Sequence, residues 1–337
     1  MTKNSRISGI HHITATSSSA SENLAFYEDV LGLRLVKKTV NFDDPYTYHL
    51  YYGDSDGSPG TIMTFFPREN LPLGKAGVGA VTSIGFSIPT GSVDYWRKRL
   101  DRHGIDSTEG KRFVETFIQF EDPDGLSLEL IETPTVEPAT GHDSRSTLAA
   151  NRIVGIHSAT AMLRSLEETQ SLLVNLMGIM LHDKEGNRYR FKMKNDDAFG
   201  HFYDVVVDSQ STAGQQGGGT VHHIAFRTTS DDELLYWQKY LTKNGFSVTP
   251  IRDRKYFKSI YFHEPGGVLI EIATDPPGFT VDEPHETLGC DLKLPDQYES
   301  MRTKIESQLP KLQSTGFTDE FVKTEVQTDR LSMEKVS

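Results

Sequence analysis

At 337 residues the chain is long enough for two ordinary domains, each with a core of its own. A hydrophobic content of 36% with 10% aromatics excludes a disordered chain, and no apolar run approaches the roughly 20 residues of a membrane span. The net charge of −12, from 35 basic and 47 acidic side chains, argues against a nucleic-acid-binding surface. The single cysteine, Cys290, excludes an intrachain disulfide framework, and residues 1–6 carry no apolar leader, so a cytoplasmic protein is expected.

In chain order, the first predicted element is a strand, with residues 9–16 reading GIHHITAT, followed by an amphipathic helix over 21–31 that stops at Gly32. Strands are expected at 48–52 and 61–66. The next strand, 81–86, leads to a helix around 95–100 that ends at Gly104, then to strands 113–120 and 126–131. Residues 133–150 are rich in Pro, Thr, Ser and Gly and read as a linker. Residues 155–162 read GIHSATAM, with a helix over 166–177 closed by Gly178. A glycine run, Gly217 to Gly219, enters a strand over 220–226 that contains His222 and His223, and a helix around 236–241 ends at Gly245. The loop 215–219 is expected to form a mobile cover. An apolar strand carrying Glu271 follows, then a non-repeated extension with one helix over 295–309 and a polar tail beyond 313.

The spacing between these elements repeats. GIHHITAT and GIHSATAM stand 146 residues apart, as do the helix-closing Gly32 and Gly178. Residues 81–86, 95–104 and 120–129 recur at 221–226, 236–245 and 262–271. A register held across separate elements is the mark of duplication. The fold class expected is α+β: four βαβββ modules in two tandem domains, with mixed curved sheets forming metal-binding cups. The N-terminal domain spans 7–132, the linker 133–150, the C-terminal domain 151–275 and the extension 276–337.

Each module serves as a control for the others. The second-histidine position holds His12, Ser83, Ser158 and His223 in turn; the late-strand carboxylate position holds Thr64, Glu129, Asp204 and Glu271. His12, His223 and Glu271 are the set retained. Two neutral imidazoles and a carboxylate on one face leave coordination positions open, the arrangement suited to Fe(II) that binds a substrate and oxygen together. Glu271 sits in an apolar strand, where a charge is costly unless it is paired or bound to a cation. The competing explanation is a buried salt bridge to an arginine such as Arg254. Glu129, whose module has no histidine, is expected to be structural. In regular strands His11 and His222 point to the face opposite their neighbours, as orienting groups or core histidines. His157 is expected to be structural, and His49, His103, His142, His182, His201, His263 and His285 have no partner pattern and are expected in the surface or core.

Several stretches resemble a known family: IHHIT at 10–14, YHLYY at 48–52, PGTIMTFFP at 59–67, GTVHH at 219–223, DRKYFKSIYF at 253–262 and DEP at 282–284. Together they are similar to the hydroquinone-type ring-cleaving dioxygenases of the vicinal oxygen chelate superfamily, over nearly the whole chain up to about residue 312. The resemblance implies Fe(II), or Mn(II), held by His12, His223 and Glu271. It implies catalytic roles for His11, Thr14, His222, Arg254 and Tyr261, with Arg254 holding negative charge and Tyr261 or His222 moving protons. It further implies a small aromatic substrate and O2, and a homo-oligomer without nucleic-acid or membrane partners. The alternatives are a glyoxalase-like isomerase or lyase, which Thr64 in place of a carboxylate argues against, a catechol extradiol dioxygenase, and a metal-free aromatic-binding protein.

Overall fold

Among the described residues there are sixteen short strands rich in β-branched and aromatic residues, four to each expected module. The computed structural model describes residues 7–134, 149–194 and 199–312; most of the expected linker and the tail from 313 lie outside the described residues. Module 1 supplies β1 (Ile10–Ser17), β2 (Arg34–Asn41), β3 (Asp44–Gly53) and β4 (Ile62–Pro67). Module 2 supplies β5 (Ala80–Pro89), β6 (Thr108–Arg112), β7 (Glu115–Glu121) and β8 (Ser127–Thr133). Module 3 supplies β9 (Gly155–Leu163), β10 (Met180–Glu185), β11 (Arg188–Lys192) and β12 (Phe202–Val207). Module 4 supplies β13 (Thr220–Thr228), β14 (Arg252–Asp253), β15 (Lys258–His263) and β16 (Leu269–Thr274). A helix follows the first strand of every module, so the βαβββ order is observed four times.

The helices are held as their sequences predict. α1 (Ala20–Ala25) and α3 (Glu167–Ser171) each continue into a π-helical turn, Phe26–Val30 and Leu172–Leu176, before Gly32 and Gly178 end them with φ of 71° and 70°. α2 (Val93–Arg102) and α4 (Asp231–Lys243) bury Trp96 and Trp237 against the sheets. The Ser230 hydroxyl accepts from the Glu233 backbone amide and caps α4. Among the described residues no helix is long and apolar enough to cross a membrane.

The sheets do not follow the two halves of the chain. One eight-stranded sheet runs β14-β15-β16-β13-β1-β4-β3-β2, from modules 4 and 1; the other runs β10-β11-β12-β9-β5-β8-β7-β6, from modules 3 and 2. In each, two first strands meet antiparallel at the centre, β1 on β13 and β5 on β9, with parallel partners outside them. Backbone bonds tie the sheets together at these centres, including Gly60 N to His11 O at 2.9 Å and Ile156 N to Gly60 O at 2.8 Å. One apolar core runs through both, from Ile10 and Ile13 to Ile84, Phe86, Ile156 and Phe226. This interleaving brings the two His-His strands side by side.

The glycine-rich loop before β13 is hydrogen-bonded to the stretch after β4. Gln215 and Lys75 exchange backbone bonds at 2.8 Å, Gly74 N donates to Gly218 O at 2.9 Å, and the Thr220 hydroxyl accepts from Gly217 N at 3.1 Å. Past β16 the described part of the extension holds a 3₁₀ turn, Asp296–Met301, and α5 (Arg302–Gln308), close to the single helix expected at 295–309.

Candidate metal centre

Bulges place the histidines. Along the β1–β13 ladder Ile10 lies opposite Phe226 and His12 opposite Ala225, so His11 is an extra residue in β1. Thr14 lies opposite His223 and Ala15 opposite Val221, so His222 is an extra residue in β13. A bulge breaks the strict alternation of side chains. The expectation that His11 and His222 face away from their neighbours is therefore corrected: His11 Nδ1 lies 2.9 Å from His12 Nδ1, and His222 Nδ1 lies 2.8 Å from His223 Nδ1. The parallel pairing of β16 with β13 sets Glu271 beside Ala225, the residue opposite His12.

Three ligand atoms converge. His223 Nε2 is 2.9 Å and His12 Nε2 3.3 Å from Glu271 Oε2, and the two imidazole nitrogens are 3.4 Å apart. All three residues are buried, and they are the one His/Cys/Asp/Glu group among the described residues whose geometry could hold a metal ion. Burial pushes the His223 pKa down, which favours the neutral imidazole that binds metals. Burial pushes the Glu271 pKa up, and the adjacent His12 and His223 pull it well below the usual carboxylate range. Neither Glu271 oxygen has a well-aligned hydrogen-bond donor. A fully buried carboxylate facing two imidazole nitrogens without a donor is a poor ion pair but a good cation site. The donor set fits a divalent transition metal. With Nε2 of His12 and His223 turned to a cation, each Nδ1–H donates to the preceding histidine, which fixes ring orientation.

Glu271 does not pair with Arg254. Arg254 Nη2 instead binds Asp43 Oδ2 at 3.0 Å, and its guanidinium lies 5.8 Å from the Tyr261 ring and 5.5 Å from the Phe42 ring. Tyr261 stands opposite Glu271 on β15, and its hydroxyl is within 3.2 Å of Ser259 Oγ. Thr14 is buried, with its hydroxyl 3.3 Å from that of Thr64. A cavity of about 520 Å³ opens over the triad, lined by His12, His223 and Glu271 and by Arg254, Tyr261 and His222. Thr14 and His11 do not line it. Phe66 and Phe257 form apolar walls, the Phe257 ring 5.1 Å from that of His12.

Sequence reasoning missed His49 and Tyr51. Both line the cavity; His49 Nε2 is 2.6 Å from the Thr64 hydroxyl, and Tyr51 OH is 2.8 Å from His49 Nδ1. Burial, and the nearby His12 and His223, push the His49 pKa well down. The signal available was their period-2 spacing with Thr47 on one face of β3.

The other sheet carries the same bulges, at Thr82 and His157, each preceding a serine, Ser83 or Ser158. There Glu129 is gripped by both terminal nitrogens of Arg112, one at 3.1 Å. Asp204 receives Arg190 at 2.9 and 3.0 Å and Arg188 at 3.2 Å.

Comparison with known proteins agrees with this architecture. The chain matches the Glyoxalase/Bleomycin resistance protein/Dioxygenase superfamily over residues 9–130 and 155–272. It is 46% identical to MhqO of Bacillus subtilis, named as a candidate ring-cleaving dioxygenase, over 89% of this chain and 95% of that one. It is 35% identical to the chlorohydroquinone/hydroquinone 1,2-dioxygenase of Sphingobium indicum, over 89% of this chain and 95% of that one. The crystal structure of a candidate dioxygenase from Bacillus subtilis superposes with a TM-score of 0.89 at 44% identity, covering 93% of this chain and 99% of the other. Glyoxalase I from Zea mays shares the fold, with a TM-score of 0.60 at 13% identity over 79% of this chain and 92% of its own. On these matches the chain belongs to the glyoxalase/bleomycin resistance protein/dioxygenase superfamily, alongside its ring-cleaving dioxygenases of the hydroquinone type.

Proposed function

We propose that this protein is an Fe(II)-dependent dioxygenase that opens hydroquinone-type aromatic rings with O2, both oxygen atoms entering the product. The observation that carries the reading is the open His12–His223–Glu271 set at the floor of an aromatic cavity, in a chain related over 89% of its length to a chlorohydroquinone/hydroquinone dioxygenase. When bound by these three residues, Fe(II) supplies a redox-active centre with coordination positions left for substrate and oxygen.

The remaining work falls to the protein's own groups. Phe66 and Phe257 offer flat apolar walls to an aromatic ring. Arg254, fixed by Asp43 and with its pKa raised by Tyr261 and Asp43 against the effect of burial, keeps its charge and is placed to hold negative charge on the bound substrate. Burial and the Glu271 carboxylate push the Tyr261 phenol up, so it stays protonated; its hydroxyl accepts from Ser259 Oγ and keeps its own proton to donate to a bound substrate. His222 is pushed down to about 4 by burial and by His223, so it is neutral near pH 7. With His223 Nε2 turned to a metal, its Nδ1–H donates to His222 Nδ1, which leaves the His222 proton on Nε2 as a donor. Thr64 fills the carboxylate position of module 1 and is engaged by His49 and Thr14, which counts against a glyoxalase-like isomerase.

The test is anaerobic loading with Fe(II), then oxygen uptake with methylhydroquinone and with catechol side by side. Uptake with a ring-opened product from methylhydroquinone is expected. Iron-loaded protein that consumes no oxygen with either ring overturns the reading.

A further inference from the structure

The stretch Asp282-Glu283-Pro284 and the extension that contains it have no part in the chemistry above, yet they reach it through buried charge. Lys37, on β2, is fully buried; its ammonium lies 2.7 Å from Asp282 Oδ1 and also binds Glu283, itself 2% exposed. A buried lysine is tolerated only when compensated, and both compensating carboxylates come from the extension. Asp282 has further partners. Its Oδ2 accepts from the Tyr256 hydroxyl at 3.1 Å and lies 3.4 Å from Lys255 Nζ. Gly278 N donates to Tyr256 O at 2.9 Å, and the Phe279 ring packs 5.1 Å from the rings of both Tyr256 and Tyr51.

Tyr256 and Lys255 belong to the tight turn at 254–257. Arg254 N donates to Phe257 O at 2.9 Å, Tyr256 N donates to Arg254 O at 2.7 Å, and Lys255 holds φ at 66°, a left-handed conformation that a lysine keeps only when its surroundings impose it. The two ends of this turn, Arg254 and Phe257, both line the cavity over the triad. Two further basic residues of β2 fasten the same extension: Arg34 Nη2 binds His285 O at 2.7 Å, and Lys38 Nζ binds Cys290 O at 2.9 Å.

We infer that the extension is a clamp for the active-site turn, and that Lys37, Asp282 and Tyr256 are positioning residues that set Arg254 and Phe257 over the substrate; the inference rests on the function proposed above. Lys37 fixes Asp282, Asp282 fixes Tyr256, and Tyr256 fixes the turn. A merely stabilising cover would affect unfolding but not substrate handling by the folded enzyme.

Two variants of the full, Fe(II)-loaded chain test this. Tyr256→Phe removes the Tyr256–Asp282 hydrogen bond, one of the contacts that join clamp to turn, and leaves the buried charges paired; Lys37→Met removes the anchor. Both are expected to speed hydrogen–deuterium exchange in peptides covering 254–257 and to leave iron content unchanged. kcat/KM for methylhydroquinone is expected to fall by about tenfold in Tyr256→Phe and about a hundredfold in Lys37→Met, the scale of a small displacement of a positioning group. In an Arg254→Gln background Tyr256→Phe is expected to cost less than about threefold, since the two act through one contact chain. Unchanged exchange at 254–257 in both variants overturns the clamp, whatever the enzyme does with hydroquinones. Faster exchange with wild-type kcat/KM overturns its role in positioning. Absence of turnover by the wild-type chain strikes the proposed function instead, and the exchange measurement still decides the clamp.

Discussion

Modules 2 and 4 place the same two residues in the same places and use them differently. Arg112 and Arg254 each stand 17 residues before their module's late-strand glutamate, Glu129 or Glu271. In module 2 the arginine folds back and grips that glutamate. In module 4 it turns to Asp43, an acid contributed by module 1, and Glu271 is left to the two histidines. The buried carboxylate is common to both sheets; what differs is the cation that compensates it. Where serines follow the bulges, guanidinium groups fill the site; where histidines follow them, the carboxylate stays open to a metal. A duplicated scaffold thus holds a structural version of one arrangement and a version whose geometry could hold a metal, with Arg254 paired to Asp43 in the second.

Breaking the metal-binding version has the largest expected effect. His12→Ala or Glu271→Ala is expected to lower turnover of methylhydroquinone by a thousandfold or more, on the order of the several kcal/mol that metal chemistry supplies, as read by oxygen uptake. Breaking the structural version moves stability instead. Arg112→Ala strands a buried Glu129 and is expected to cost about 3–5 kcal/mol in urea unfolding, with iron binding unaltered. Asp43→Asn sharpens the contrast: it frees Arg254 to approach Glu271 as Arg112 approaches Glu129. Iron affinity is expected to drop by about tenfold in a competition titration, while Asp43→Glu keeps most of it.

The smallest effect concerns a second equivalent pair, the turn carboxylates Asp122 and Glu264, which accept hydroxyls from the first helical segments of modules 1 and 3, Tyr27 at 3.1 Å and Thr169 respectively. Burial raises the Asp122 pKa from 3.8 to about 6. A raised pKa means the folded state binds the proton more tightly, so this contribution is full below pH 3.8 and is lost as the pH rises through about 6. Asp122→Asn, which cannot ionise, is therefore expected to gain about 1 kcal/mol on the wild type between pH 5 and pH 8 in urea unfolding.

Much of the fold was legible because duplication preserves register. Helix stops at Gly32 and Gly178, and the four late-strand positions Thr64, Glu129, Asp204 and Glu271, align in sequence as they do in the sheets. The retained trio came from the same comparison, and the structure brings its atoms together. The bulges were not legible: alternation sends His11 and His222 away from their neighbours, and only the one-residue register shifts bring them back. His49 escaped notice because both faces of β3 are buried at that point, so no polar alternation marks the side that faces the cavity. The anchoring of loop 215–219 is made by backbone groups and by partners far away in sequence, which side-chain patterns do not report.

The measurement that most directly tests the division between the sheets is metal stoichiometry after anaerobic Fe(II) loading, in the wild type, Glu271→Ala and Glu129→Ala. One iron per chain is predicted for the wild type and for Glu129→Ala, and none for Glu271→Ala. Two irons per chain, or one that survives in Glu271→Ala and disappears in Glu129→Ala, would contradict the account.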